Sequence, residues 1–385
     1  MRIGLDLATA LADELAPATA VVELLAELKR QAGDDDEVVL FVSDEAGPIA
    51  WRVRDHKLHQ VETPFGGGRS AELWRALSFP AVERLAPGRS GPKVGALDVC
   101  HSLEPPLMPS RARRRVLTLS SLDGLPGAVR RSLRRADDVL VTSGKLRSAL
   151  LQRVSSARIS KLDQLDGKLR VVHPGVHARF TEPPKRVAIE TLCARHPFLE
   201  QPYVLAIGLP GLEDVGARCV LEAWRRTRQD SPTLPGLVLA LSAPPTNEAI
   251  EQLWAAAPND VLQPAIIEMP EPTLLPALYR GAEMLLHPAQ DHRFGRRVAE
   301  AAAAGVVAIV GNDCGVLEVL GDAPVPVEGA DPDAWAHAMH SLHASPQERQ
   351  RRAHQGRQPA QGLTWSATAA QLWEVYRGAG SRPAA

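Results

Sequence analysis

The chain has 385 residues, 45% of them apolar, with 44 Lys and Arg against 45 Asp and Glu. That length and composition accommodate two domains with real cores and exclude a disordered or fibrous chain. No stretch approaches about 20 apolar residues, and the N-terminus MRIGLDLATA has no basic region followed by an apolar run. A membrane-spanning or secreted protein is therefore not expected, and a cytoplasmic one is. Cys100, Cys193, Cys219 and Cys314 are scattered without a CxxC pair, so they read as free thiols, mostly buried, rather than as disulfides or metal ligands. The first half is the more basic, with clusters at Arg111 to Arg115 and at Arg130, Arg131, Arg134 and Arg135. A peripheral contact with an anionic membrane is compatible with such a face, although a solvated helix surface is the ordinary reading. The basic helices carry no interleaved aromatics, so no nucleic-acid partner is expected.

In chain order, Met1 to Leu7 predicts a strand, Pro17 to Lys29 a helix with Val21, Leu24, Leu25 and Leu28 on one face, and Val38 to Val42 a second buried strand. Strand, helix and strand in that order open a parallel α/β sheet. Ala46 to Gly91 is Gly- and Pro-punctuated. Its Gly66-Gly67-Gly68 lacks the Lys-Ser/Thr of a phosphate loop and reads as a mobile surface loop. Strands follow at Val99 to His101 and Val116 to Leu119, a helix at Gly127 to Asp137, a strand at Asp138 to Thr142 and a helix from Ser143. A further strand and turn occupy Leu169 to His177. His173 and His177 flank Pro174-Gly175, which excludes a shared helical face and favours turn histidines over metal ligands. Thr181 to Gln201, with three prolines, reads as an interdomain linker holding a short helix.

A second set of alternating elements follows. Strands are expected at Tyr203 to Gly208, Leu237 to Leu241, Ala265 to Glu268, Glu283 to His287 and Val306 to Val310. Helices are expected at Leu275 to Gly281, after Gly295, at Asp331 to Ala344 and at Thr368 to Arg377. Leu275 to Gly305 organises this half: helix, buried strand, polar Gly-containing loop, Ala-rich helix. Such a unit sets backbone N–H groups and a helix dipole beside an anion, beyond the end of a parallel strand.

The motifs LPALYRGAE, Pro288, His292-Arg293-Phe294-Gly295 and Glu300-Ala301-Ala302-Ala303-Ala304-Gly305 resemble the donor-binding segment of GT-B glycosyltransferases of the group 1 or family 4 type. MRIGLD, RRADDVLVTS, the Leu169 to His177 turn, Val316 to Val319 and the C-terminal EVYR are similar to other segments of that family. The resemblance implies two facing Rossmann-like doubly wound domains with a cleft between them. The expected arrangement is an acceptor-side domain over 1–172, a donor-side domain over 173–362, and a closing helix and tail over 363–385. It also implies metal-free, retaining transfer from a nucleotide-sugar donor without a further cofactor.

The departures from the family fall at its functional positions. The first turn, LADELAPATA, has no glycine; Ser120 and Ser121 stand where the family has His and Asp; His292 replaces the first of two glutamates, leaving Glu300. Neither serine has a neighbouring His in sequence to make it a nucleophile. The Arg-Lys pair that would grip a diphosphate after Gly208 is replaced by Glu213 and Asp214. A carboxylate about 5 Å from a phosphate charge costs roughly 3 kcal/mol at an effective dielectric of ~20. Arg293, Arg296 and Arg297 are candidate substitutes for the missing cations, against the ordinary expectation that first-turn arginines face solvent.

No catalytic residue is assigned. The residues expected to bind a nucleotide sugar are Glu300 (ribose), Gly295, Phe294, Arg296, Arg297 and Gly208. Substitution concentrated at these positions favours a glycosyltransferase-like protein whose transfer is impaired or lost and whose cleft or surface binds a nucleotide, a glycan or a protein partner. The alternative is an active retaining glycosyltransferase that uses the arginines. An epimerase on the same fold would need acid and base carboxylates that the sequence does not place. Oligomeric state is not legible.

Overall fold

The computed structural model describes residues 1–7, 17–42, 59–62, 74–75, 80–84, 95–122, 126–156, 164–255, 263–268, 270–288 and 292–378. Gly66 to Gly68 and most of the glycine-free first turn lie outside these residues. The chain divides into two compact units: Met1–Gly175 with Trp365–Ala385, and Val176–Thr364.

The first unit is built on a seven-stranded sheet in the order β3-β2-β1-β4-β5-β6-β7. Its elements are β1 (Arg2–Asp6), α1 (Pro17–Gln31), β2 (Glu37–Val42), β3 (His59–Glu62), β4 (Val99–Ser102), β5 (Arg114–Leu119), α2 (Gly127–Arg135), β6 (Asp138–Val141), α3 (Gly144–Ser156) and β7 (Leu169–Val171). All its pairings are parallel. The apolar runs make this possible, since a parallel strand is covered on both faces. Ile3, Leu5, Val38 and Leu40 join Leu24, Leu25 and Leu28 of α1 in one core, against the helix Trp365–Tyr376. Val39, Phe41 and Val61 join Trp74 and Val82 on the other face. The Gly- and Pro-punctuated stretch from Ala46 to Gly91, in which no strand was expected, holds regular structure. It contributes an edge strand, whose Val61 pairs with Phe41, and buried Trp74, because a row of open ladder groups on β2 is satisfied by one more strand.

The second unit runs α4 (Arg186–Arg195), β8 (Tyr203–Leu209), α5 (Val215–Asp230), β9 (Gly236–Leu241), α6 (Asn247–Ala255), β10 (Ala265–Glu268) and α7 (Leu275–Gly281). It continues with β11 (Ala282–His287), α8 (Arg296–Ala304), β12 (Ala308–Gly311), α9 (Leu317–Leu320), β13 (Val325–Val327), α10 (Pro332–Ala344) and α11 (Pro346–Gly362). Trp365–Tyr376, which returns to the first unit, is α12. The sheet order is β10-β9-β8-β11-β12-β13, again parallel.

The linker reading of Thr181 to Gln201 is corrected. The segment lies inside the second unit, with Leu192 of α4 and Leu199 after it in its core. α8 runs between two left-handed glycines, Gly295 (φ 82°) and Gly305 (φ 82°). The Gly305 and Val306 N–H groups return to Ala302 and Ala301 carbonyls, which closes the helix. Its alanines let α11 come close: a Cβ on Gly356 would sit 3.4 Å from the Ala302 methyl. α11, whose sequence is almost wholly polar, was not legible as a helix. It starts at Ser345, whose hydroxyl caps the Glu348 N–H, and is fixed by this packing. Among the described residues, no helix is long and apolar enough to cross a membrane.

Candidate functional site

In each sheet the connections run one way from one central strand and the other way from its neighbour. The carboxyl ends of those two strands border the crevice where open α/β sheets take ligands. In the second unit the two strands are β8 and β11. Their chain continuations bring α5 and α8, N-terminus first, to the same edge.

β8 ends in a bulge at Gly208, where the register with β9 shifts and φ is 82°. Glycine is required there twice over. The conformation is left-handed, and a Cβ would lie 2.9 Å from His287 Cε1 and 3.9 Å from Arg297 Cγ. Gly208, the end of β11 and the stem of Arg297 therefore converge. His287 is buried and its Nδ1 pairs with the Ile207 carbonyl at 3.1 Å.

Glu300 sits one turn into α8, 5% exposed. Its Oε2 accepts from Arg297 Nη1 and from the Tyr279 hydroxyl, each at 2.9 Å, and its Oε1 faces Arg296 Nε at 3.4 Å. These partners follow from spacing: residues three and four apart share a helix face, so Arg296 and Arg297 both reach Glu300. Tyr279 arrives from α7. Burial alone would raise the Glu300 carboxyl, but Arg297 and then Arg296 hold it below the usual carboxylate range. Burial also pushes the Tyr279 hydroxyl well up, with Glu300 beside it adding to the effect, so it is a neutral donor. The expectation that first-turn arginines face solvent is corrected. Arg297 is 9% exposed and its guanidinium is spent on Glu300, because a buried carboxylate requires a cation.

The remaining expected residues are placed as follows. Phe294 is buried, and its carbonyl accepts the Val316 N–H at 2.6 Å, while the Arg293 carbonyl accepts from Gly315 N–H at 2.9 Å. This backbone pairing carries the loop into α8. At Gly295 a Cβ would collide with Cys314 Sγ, so glycine is needed for space as well as for its positive φ. His292 is half-buried with φ 56°, a left-handed conformation uncommon for a side chain of its size. Arg293 is exposed, unlike Arg296 and Arg297.

Glu213 and Asp214 do not both face this edge as bare charges. Asp214 caps α5, its Oδ1 accepting the Gly216 N–H at 2.8 Å and the Ala217 N–H at 3.2 Å. A carboxylate thus occupies the donors that a helix N-terminus would offer an incoming anion. Glu213 accepts from the Thr246 hydroxyl at 3.3 Å, toward the start of α6.

The first unit has its own switch point, at β1 and β4. There Asp6 takes Arg75 Nη2 on both oxygens, at 2.9 and 3.0 Å, and the Ser102 hydroxyl at 3.2 Å. Ser120 and Ser121 follow β5 and are half-buried. His173 pairs with the Thr142 carbonyl and His177 accepts the Arg179 N–H, the turn roles expected of them. Among the described residues, no group of three His, Cys, Asp or Glu could hold a metal ion. All four cysteines are free, three of them buried. In the first basic cluster, Arg113, Arg114 and Arg115 pair with Asp98, Asp138 and Asp137, whereas Arg130, Arg131 and Arg134 of α2 are exposed.

Tyr279 and His287 were missed in the sequence. Tyr279 lies 21 residues before Glu300, on another element, and no periodicity links the two. His287 reads as the end of an apolar strand, and only the neighbouring strand reveals what it touches.

Residues 259–359 match the family model described as glycosyl transferases group 1. The D-inositol 3-phosphate glycosyltransferase of Streptosporangium roseum is 29% identical over 223 residues, 55% of this chain and 50% of that protein. The chain spans about half or less of the length of the inositol phosphate relatives it matches. Among solved structures, a glycosyltransferase from Rickettsia africae superposes with a TM-score of 0.71 at 11% identity, covering 99% of each chain. Anabaena HepE in complex with UDP-glucose superposes with a TM-score of 0.70 at 12% identity, covering 98% of this chain and 100% of that one. Two parallel α/β sheets, each with its own switch point, together with these likenesses, give the chain the GT-B fold, and the sequence match to group 1 glycosyl transferases lies in residues 259–359 of its second unit.

Proposed function

We propose that this chain is a glycosyltransferase-like protein in which ordinary nucleotide-sugar transfer is impaired or lost, and that the switch point of its second unit, or its surface, serves binding. The second unit is the donor-side one in this reading, and the first the acceptor-side one. The supporting observation is the state of Glu300. The carboxylate that would receive a donor's ribose hydroxyls already has both oxygens turned to Arg296, Arg297 and Tyr279. The Asp214 cap points the same way, since it offers a phosphate a negative charge in place of free N–H donors. The ligand class is a nucleoside diphosphate or its sugar conjugate, by analogy with the UDP-glucose complex of HepE. Calorimetric titration with UDP, GDP and their common sugar conjugates tests it, alongside a release assay for free sugar and nucleotide. Binding with no turnover is the expected result, and steady release of UDP or GDP from a sugar conjugate would refute the loss of transfer.

A second reading is favoured by one observation. Arg296 and Arg297 turn toward Glu300 at the N-terminal end of α8, and in this reading they would replace the missing diphosphate cations. An active retaining transferase would then depend on them, and Arg296→Leu would abolish its turnover while sparing the fold.

A further inference from the structure

We infer that Arg297, assisted by Arg296, makes recognition of hydroxyl groups at Glu300 conditional on an anion: a phosphate on the same ligand draws the guanidinium away, and only then does the carboxylate accept the ligand's hydroxyl donors. This rests on the nucleotide-binding reading above and adds to it a coupling between two parts of one ligand.

Glu300 can exchange only the donors that reach its two oxygens. A carboxylate only accepts hydrogen bonds, so a ligand reaches it through donors, such as the two adjacent hydroxyls of a ribose. Its Oε2 already holds two donors at 2.9 Å, one of them a guanidinium, and its Oε1 faces a second guanidinium. A neutral diol would have to displace a charge-assisted contact and leave a buried Arg297 without its partner, which is unfavourable. A ligand that also carries a phosphate changes the balance. The guanidinium exchanges one anionic partner for another of matching fork geometry, and the hydroxyls exchange water for a carboxylate.

The location suits that exchange. Arg297 is in the first turn of α8, where the helix dipole favours an anion. Its stem lies beside the Gly208 bulge at the carboxyl end of β8. The N-terminus of α5, the other helix at this edge, is already capped by Asp214. An anion is thereby directed to α8 and its arginines. Tyr279 stays on Oε2 when Arg297 leaves, so the carboxylate keeps its orientation; Tyr279 is a positioning residue in this scheme.

The test is a cycle on the ligand, with the chain unaltered. Affinities are measured calorimetrically for uridine, 2′,3′-dideoxyuridine, UDP and 2′,3′-dideoxy-UDP. Removing the hydroxyls is expected to weaken UDP by about tenfold or more and uridine by less than about twofold. In Arg297→Leu the two losses are expected to become equal, and Arg297→Lys, which restores the charge without the fork, to recover part of the difference. Equal losses in both pairs for the wild type, or no hydroxyl dependence in either, overturn the coupling and leave nucleotide binding intact. A loss of affinity in Arg297→Leu that is parallel for all four ligands also overturns it, since a merely structural role has that signature. Absence of any heat with UDP or GDP in the folded wild type overturns the nucleotide reading itself.

Discussion

The two switch points hold the same kind of pair, a carboxylate and an arginine, and differ in how the pair is made. In the first unit Asp6 and Arg75 are 69 residues apart, Asp6 is completely buried, and Ser102 donates to it from the neighbouring strand. In the second unit Glu300 takes its arginines from its own helix, three and four residues away, beside a left-handed glycine and a buried histidine. A pair assembled from distant segments joins them and is part of the fold. A pair made within one helix turn does not itself tie distant segments together, Tyr279 being the group that links Glu300 to α7, and in the proposed reading it lies where a ligand would approach. Under the proposed function, the first pair serves the fold and the second is the one suited to exchange partners.

Four measurements would break or sharpen this contrast, taken from the largest effect downward. Arg75→Ala leaves an uncompensated charge at Asp6 and should lower unfolding free energy by about 3–5 kcal/mol in urea denaturation. A loss below about 1 kcal/mol would show that the first pair does not anchor the fold.

The second measurement is the pH dependence of unfolding. His101 in β4 pairs with the Tyr376 hydroxyl of α12 at 2.7 Å and with Thr118 at 2.8 Å, and burial pushes it down to about 3. Its folded value lies below its unfolded one, so its contribution is complete above about pH 6.5 and is lost as pH falls toward 3. Melting between pH 7 and pH 5 should reveal a loss of about 2 kcal/mol that His101→Asn removes. The Glu300 carboxyl is also depressed, by Arg297 and Arg296 against the effect of burial. Its stabilising contribution is present above its unfolded value near pH 4.3 and fades only below it, so acid should weaken the first unit before the second pair.

Arg297→Leu comes third. Arg296 and Tyr279 remain on Glu300, so the expected cost is about 1–2 kcal/mol, read from the urea midpoint at constant slope. A cost equal to that of Arg75→Ala would erase the distinction between the two sites. Tyr279→Phe, which removes one neutral donor from Oε2, should cost about 1 kcal/mol and leave secondary structure by circular dichroism unaltered.

Much of this was readable in the chain, for reasons that particular residues make plain. The β8 and β11 runs, YVLAIGL and AEMLLH, announce buried strands because parallel strands are apolar on both faces. The glycines that bound α8 announce its ends. β3 was hidden because His59–Glu62 carries only one buried apolar residue and becomes a strand through the edge of β2. α11 was hidden because its helical pattern is set by contact with α8 and not by amphipathic spacing. At the site, Glu300, Gly295, Phe294, Gly208 and the arginines could be named because their motifs resemble the family's donor-binding segment. Their pairing could not, because which guanidinium a carboxylate takes depends on side-chain reach and on burial.

Sequence alone therefore determined most of the strands and helices in order, the alternating two-sheet organisation, and the presence of Glu213 and Asp214 after Gly208. These are local matters: periodicity, backbone freedom and residue identity act over a few neighbours. Only tertiary structure decided that Asp214 caps α5, that Glu213 turns to Thr246, that Tyr279 reaches Glu300 from another element, and that Arg297 faces inward. The physical reason is that a buried charge must find its partner wherever the packed chain has placed one, and that choice is made among groups far apart in the sequence.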